Sequence, residues 1–331
     1  MGFFSELSLK EKEQGELSSL IGKYGLAMGL IFVDSRILIY LFYVLMVWLL
    51  GGKPAFDPLL PLPDGYYFIT LMINELAAYL FPLIFTAVIF KNEALSAPKQ
   101  DYRRFKGDFI LIFISGVAFS SIGTMITEFI TKALNSMFGT PLPSAAFSNS
   151  MPHNLFQFLT LCLCTVIIAP LCEEVIFRGF LLKPLRKYGD LSAILISAAI
   201  FALFHGNVDQ LAYALISGIF LGIITVRSNS ILPSIILHSA NNLIVSVISY
   251  MPKGIFGQEH IEAVTTLQQV MGIIMTAVIP LGIIAAVILA VKKVFRFENP
   301  SGIPKKEKLK LFFTNIPFII GLVTMVLIFI K

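Results

Sequence analysis

The stretch that decides the fold runs from Leu159 to Phe180 and reads LTLCLCTVIIAPLCEEVIFRGF. Its first twelve residues are almost entirely apolar, and Glu173, Glu174 and Arg178 follow them. A helix that crosses a bilayer needs about 20 mostly apolar residues. Charged side chains in such a helix are costly in free energy and usually mark a functional site. The stretch therefore predicts a membrane-spanning helix that carries part of a site.

The composition of the whole chain indicates a membrane protein. Of its 331 residues 56% are hydrophobic and 14% are charged, whereas soluble domains carry about 25% charged residues. The apolar runs are continuous, which favours helices over strands. We therefore predict an all-α, polytopic protein of the cell membrane with eight to nine transmembrane helices. The predicted spans are 26–50, 66–90, 108–132, 154–182, 190–205, 210–226, 231–250, 265–291 and 311–330. One of the short spans between 190 and 226 is expected not to cross fully.

The distribution of lysine and arginine predicts the orientation. Basic residues concentrate in the loops 91–107, 183–189 and 292–310, and the alternate connections hold few. Because basic loops stay in the cytoplasm, these loops and the N-terminus are expected on the cytoplasmic side. The first 24 residues mix acidic and basic side chains, unlike a secretory signal. The net charge of +5 thus reflects topology, and no nucleic-acid partner is expected.

Three regions are expected along the chain. Residues 1–150 hold the cytoplasmic start and three transmembrane helices, residues 151–250 form a helical core with the site, and residues 251–331 add two C-terminal helices. The three cysteines all fall in one apolar helix, where small apolar packing is the expected role rather than a disulfide framework. They are Cys162, Cys164 and Cys172.

Helix geometry separates the two glutamates. Glu174 and Arg178 are four residues apart, so they share a face and are expected to pair. Glu173 points about 100° away and need not be neutralised by the same arginine. The turn RKYGD is centred on Gly189, and Glu173 and His205 each lie sixteen residues from it. In an antiparallel hairpin both would lie about 24 Å from the turn, at one depth, where they can share a water molecule.

The segment HSANN (238–242) adds two hydrogen-bond donors. His238 and Asn242 are four residues apart on one helix face, and donors aimed at one point can stabilise an oxyanion. Glu173 would then act as the general base for a water molecule that His205 orients. Other polar residues of the predicted spans are Asn74, Glu75, Glu128 and Asn241.

The segments EEVIFR (173–178), FALFH (201–205) and HSANN resemble the three motifs of the CPBP family, the CAAX proteases and bacteriocin-processing enzymes, also called Abi. The resemblance covers about 150–250, under a third of the chain. It implies an all-helical intramembrane glutamic endopeptidase without a cofactor, acting on a peptide or a membrane-anchored protein among membrane lipids. In this family pattern Glu173 and His205 activate water, and His238 and Asn242 form the oxyanion hole. Glu174 and Arg178 would be supporting residues.

The resemblance does not fix the substrate. The eukaryotic branch removes the last three residues of prenylated CAAX proteins, whereas prokaryotic members are linked to bacteriocin immunity, peptide processing and protein sorting. Two other functions also fit the residues. Buried glutamate and histidine can form the proton relay of a transporter, although no internal repeat is present. An immunity or scaffold protein could keep the fold without catalysis. A metal-dependent enzyme with a divalent metal at Glu173, His205 and His238 fits the residue types as well.

Overall fold

The computed structural model describes residues 2–49, 76–95, 108–138, 152–206, 208–252 and 255–330. Every regular element in these ranges is helical, which confirms the predicted all-α fold. The helices are numbered in chain order as α1 (Gly2–Leu49), α2 (Phe81–Leu95), α3 (Phe109–Phe138), α4 (Leu155–Tyr188), α5 (Asp190–Phe204), α6 (Val208–Ser228), α7 (Leu232–Tyr250), α8 (Ile261–Val291), α9 (Lys305–Thr314) and α10 (Ile316–Ile330).

Five helices of the described residues are long and apolar enough to cross a membrane. They are α3, α4, α6, α7 and α8, and the bent pair α9–α10, with a 66° angle at its break, would make a sixth span. The predicted count of eight to nine is therefore not reproduced. The 15 residues of α5 rise only about 22 Å, which is less than the ~30 Å of a bilayer core. Part of the predicted span 66–90 lies outside the described residues.

The described residues in and beside the basic segments meet at one face of the molecule, whereas residues 96–107 of the first basic loop lie outside the described residues. Polar contacts join the N-terminal helix to the α4–α5 turn, the C-terminal connection to α5, and the start of α3 to the end of α8. These contacts are Lys187 Nζ to Glu16 Oε2 at 3.1 Å, the Asp190 N–H to the Glu298 carbonyl at 3.0 Å, and Lys292 Nζ to Asp108 Oδ1 at 2.8 Å. The common face agrees with the charge pattern, and its assignment to the cytoplasm stays a prediction.

The short helix α5 lies between α4 and α6 in the largest hydrophobic cluster. The hydroxyl of Ser197 on α5 donates to the Phe177 carbonyl of α4 at 2.9 Å. On the other side Gly218 lets α6 approach closely, since a Cβ at Gly218 would lie 3.1 Å from Ala198 Cα. The turn between α4 and α5 occurs at Gly189, as predicted, with φ of 134°. Packing on both sides thus holds α5 at the depth of the charged residues of α4.

Glycines allow α1 and α10 to cross at backbone contact. A Cβ at Gly29 would lie 2.7 Å from Gly321 Cα, and a Cβ at Gly321 would lie 1.8 Å from the Gly25 carbonyl oxygen. Close approach of this kind is common between helices in membranes, because dispersion contacts replace the missing hydrophobic driving force. The N-terminal and C-terminal helices are therefore packed as one pair.

Replacement of Gly321 by alanine should lower the melting midpoint in detergent by several degrees, since the new methyl group overlaps the α1 backbone. Gly272→Ala on α8 is the matched control, because a Cβ at Gly272 meets no atom within 4 Å. Thermal unfolding of both variants beside the wild type measures the difference. Equal midpoints for the two variants would show that the crossing does not hold the helices together.

Candidate active site

The helix α4 changes its hydrogen-bond pattern where the site begins. Residues Leu163–Ile168 are π-helical, and the Ala169 N–H bonds to the Cys164 carbonyl five residues before it. The next donor in this pattern would be the N–H of Pro170, which proline lacks. The Thr165 carbonyl thus loses a helical partner, and the side-chain amide of Asn242 donates to it at 2.8 Å. A buried carbonyl needs a partner, so Asn242 completes α4 from α7.

A second π-helical segment, Glu174–Leu182, carries the buried ion pair. Arg178 Nε lies 3.2 Å from Glu174 Oε2, and both side chains are fully buried. The predicted pairing is confirmed. The guanidinium also lies 4.6 Å from the centre of the Phe201 ring, and its Nη2 lies 3.4 Å from the Gly218 carbonyl oxygen. Arg178 therefore links α4 to both α5 and α6.

The imidazole of His238 lies between the two adjacent glutamates. Its Nδ1 is 3.0 Å from Glu174 Oε1, and its Nε2 is 3.6 Å from Glu173 Oε2. Because an ionised carboxylate only accepts hydrogen bonds, Nδ1 carries a proton that it donates to Glu174. Glu173 is 4% exposed and His238 is 6% exposed, so the group is nearly closed to solvent. His238 is thus oriented by one carboxylate and faces the other.

The ring of Phe201 contacts both histidines. The centre of the Phe201 ring lies 4.7 Å from the centre of the His205 ring and 5.8 Å from the centre of the His238 ring, and both contacts are edge-on. His205 follows the last residue of α5, and its Nδ1 is 2.9 Å from the Phe201 carbonyl oxygen. Since a carbonyl oxygen only accepts, Nδ1 donates this hydrogen bond, and Nε2 lies on the other side of the ring.

The structure brings most of the predicted site residues into one buried group. Glu173, Glu174, Arg178 and His238 are in direct contact, and Phe201 joins His205 to them. Asn242 lies one turn from His238 on α7, with one of its two amide hydrogens on Thr165. The catalytic roles of Glu173, His205, His238 and Asn242 stay predictions.

The other polar residues of the predicted spans differ in position. Glu128 is exposed on α3 and lies 3.8 Å from Lys132, Asn241 lies three residues from His238 on α7, and Asn74 and Glu75 lie outside the described residues. Sequence reasoning missed the partners Thr165 and Gly218, and it missed Tyr213 on α6, whose hydroxyl accepts a hydrogen bond from the side-chain amide of Asn241. Pro170 inside an apolar helix was the available signal for the free carbonyl of Thr165. A tyrosine or a glycine among apolar residues gave no comparable signal.

Glu173, His205 and His238 are side-chain types that can bind a divalent metal. Among the described residues, no three histidine, cysteine, aspartate or glutamate side chains form a group that could hold a metal ion. The metal-dependent alternative at Glu173, His205 and His238 therefore gains no support from the geometry and stays untested.

Loss of Arg178 should destabilise the protein strongly, because Arg178→Ala leaves the fully buried Glu174 without its guanidinium partner. Removal of one member of a buried pair typically costs ~3–5 kcal/mol. The matched control is Lys132→Ala, which removes an exposed pair of the same spacing and should leave the melting midpoint almost unchanged. Thermal unfolding in detergent measures both. A normal midpoint together with lost activity would instead give Arg178 a part in the chemistry.

Comparison with known proteins addresses the central part of the chain. Residues 155–244 match the family model described as Type II CAAX prenyl endopeptidase Rce1-like. No curated protein and no solved structure matches the chain. The matched residues run from the start of α4 to the middle of α7 and include all three motifs. The match confirms the predicted resemblance to the CAAX proteases: residues 155–244 are similar to the type II CAAX prenyl endopeptidase Rce1-like family.

Proposed function

We propose that this protein is an intramembrane endopeptidase that hydrolyses a peptide bond of a membrane-associated protein or peptide with a water molecule activated by Glu173. The observation that carries the proposal is the buried pair of Glu173 and His238, in which Glu174 holds the far side of the imidazole. The surrounding segment matches an endopeptidase family. A carboxylate held beside an oriented imidazole is suited to proton transfer.

The buried group holds several formal charges. Glu173 and Glu174 contribute two negative charges and Arg178 one positive charge, so a His238 that carries a proton on both ring nitrogens brings the formal sum to zero. In the proposed reaction His238 holds one proton on Glu174 and offers the Nε2–H to the developing oxyanion.

The first step forms the new carbon–oxygen bond. The Glu173 carboxylate takes a proton from water, which His205 Nε2 orients by accepting the other hydrogen. The water oxygen attacks the carbonyl carbon, and the electron pair of the C=O bond moves onto its oxygen. His238 and the second amide hydrogen of Asn242 stabilise this negative charge.

The second step breaks the peptide bond. The electron pair on the oxyanion re-forms the C=O bond, the C–N bond breaks, and the leaving nitrogen takes the proton from Glu173. Glu173 is then a carboxylate again, and no covalent enzyme intermediate is needed. The apolar surroundings of α4 and α5 limit the number of water molecules that compete for these hydrogen bonds.

The proposed substrate is a membrane-anchored peptide. Bacteriocin immunity or peptide processing would be a narrower form of this function. A proton-coupled transporter would use the same buried Glu173 and His238 as a relay, and a scaffold protein would use neither. Cleavage of a quenched fluorescent peptide with a lipidated cysteine, compared with proton flux in proteoliposomes, separates these functions.

Loss of cleavage on chelation, with recovery on adding a divalent metal, would favour the metal-dependent alternative.

Substitution of Glu173 by glutamine should abolish cleavage, because the amide cannot accept the proton of the attacking water. The protein should still fold, since glutamine has nearly the same shape. Glu128→Gln is the matched control on α3, where the glutamate is exposed and distant from the motifs. Turnover of the fluorescent peptide measures both variants. Near wild-type turnover by Glu173→Gln would end this mechanism.

Substitution of Asn242 by alanine tests the oxyanion role against the structural one. Loss of one oxyanion donor lowers kcat by ~10²–10³, with little change in KM. Loss of the hydrogen bond to Thr165 should lower the melting midpoint in either case, because the carbonyl is left without its partner. Steady-state kinetics and a thermal melt on the same preparation separate the two effects. An unchanged kcat with a lowered midpoint would limit Asn242 to its contact with α4.

A further inference from the structure

A polar side chain that none of the three motifs contains lies beside the site. Tyr213 belongs to α6, and the side-chain amide of Asn241 on α7 donates a hydrogen bond to its hydroxyl. Asn241 is three residues from His238, and both residues line one crevice between α3, α6 and α7. The hydroxyl of Tyr213 is therefore held on the side of α7 where His238 lies.

The Tyr213 hydroxyl can accept and donate hydrogen bonds at the same time. A phenol has one proton to donate and two lone pairs that accept. The Asn241 amide donates to the oxygen, and Asn241 lies on the same face of α7 as His238, three residues away. The proton of Tyr213 is therefore left to donate to another acceptor on this side of α7.

Close packing with α3 fixes the backbone of Tyr213. A Cβ at Gly123 on α3 would lie 3.0 Å from Tyr213 Cα and 3.1 Å from Ile216 Cδ1. The α3 and α6 backbones thus meet at this point, so the tyrosine has little freedom to shift along its helix. α3 lies outside the matched residues 155–244.

We propose that Tyr213 is a further catalytic residue: its hydroxyl, oriented by Asn241, donates a hydrogen bond to the oxygen of the scissile carbonyl as negative charge develops there. The inference rests on the proposed function. It follows from the hydrogen bonds of the two neighbouring amides. One N–H of Asn242 donates to the Thr165 carbonyl, and one N–H of Asn241 donates to the Tyr213 hydroxyl. No proton is transferred by Tyr213, and the hydrogen bond strengthens only in the transition state.

The first test replaces Tyr213 by phenylalanine, which removes the hydroxyl and keeps the ring. Loss of one oxyanion donor should lower kcat by ~10²-fold or more, with KM and the melting midpoint near the wild-type values. Tyr250→Phe, the same change near the end of α7, is the matched control and should keep full kcat. Cleavage of the fluorescent lipidated peptide measures all three proteins. Cleavage that requires Glu173 and is unchanged by Tyr213→Phe would overturn the inference and leave the proposed function standing.

The second test does not depend on cleavage. The chain has ten tyrosines, and protein labelled with 3-fluorotyrosine gives a ¹⁹F resonance for position 213 that is assigned by its loss in Tyr213→Phe. This resonance should move in Glu173→Gln and in Asn241→Ala, whereas the Tyr250 resonance should stay in place. If the wild type cleaves no peptide, the proposed function fails on its own test. A Tyr213 resonance that ignores both substitutions overturns the inferred arrangement whatever the cleavage result.

Discussion

The structure depends on how two adjacent carboxylates can be buried in an apolar helix bundle. An isolated charge in such surroundings costs several kcal/mol even after relaxation. Glu174 avoids this cost by contacting Arg178 on its own helix and His238 on α7. The guanidinium of Arg178 is in turn contacted by the Phe201 ring of α5 and by the Gly218 carbonyl of α6. The requirement to compensate one charge therefore assembles four helices around Glu173.

Phe201 shows why an aromatic residue suits the position four residues before His205. The guanidinium of Arg178 on α4 lies over its ring. The imidazoles of His205 and of His238 on α7 contact the ring edge-on. An aliphatic side chain could fill the same space, but it would lack the ring face that attracts the cation. The same residue also accepts the Nδ1 hydrogen of His205 through its carbonyl. Phe201 thus contacts the arginine of the Glu174–Arg178 pair and also fixes the tautomer of His205.

Sequence reasoning predicted two local features correctly. The spacing of four residues predicted the contact of Glu174 with Arg178, which forms although Glu174–Leu182 is π-helical, and Gly189 predicted the turn that begins α5. It missed a contact between helices. The contact of Asn242 with Thr165 follows from a π-helical segment and from Pro170, and ordinary periodicity does not reveal either consequence. An apolar run predicts burial but does not by itself predict a full crossing. The 15 residues of α5 are too few to span a bilayer core, and α5 packs between α4 and α6, in line with the expectation that one of the short spans between 190 and 226 does not cross fully.

The boundary of the matched domain does not coincide with the boundary of the site. Residues 155–244 contain the three motifs, yet the helix that packs against Tyr213 is α3, which precedes them. In turn α3 is held by α8, where a Cβ at Gly282 would lie 2.1 Å from Ala118 Cβ, and the Ser115 hydroxyl donates to the Gly282 carbonyl at 3.1 Å. A shift of α3 by even a fraction of an ångström would be transmitted to α6, because packed helices have few voids to absorb it. The helices outside the motifs are therefore part of what positions the polar groups around Glu173.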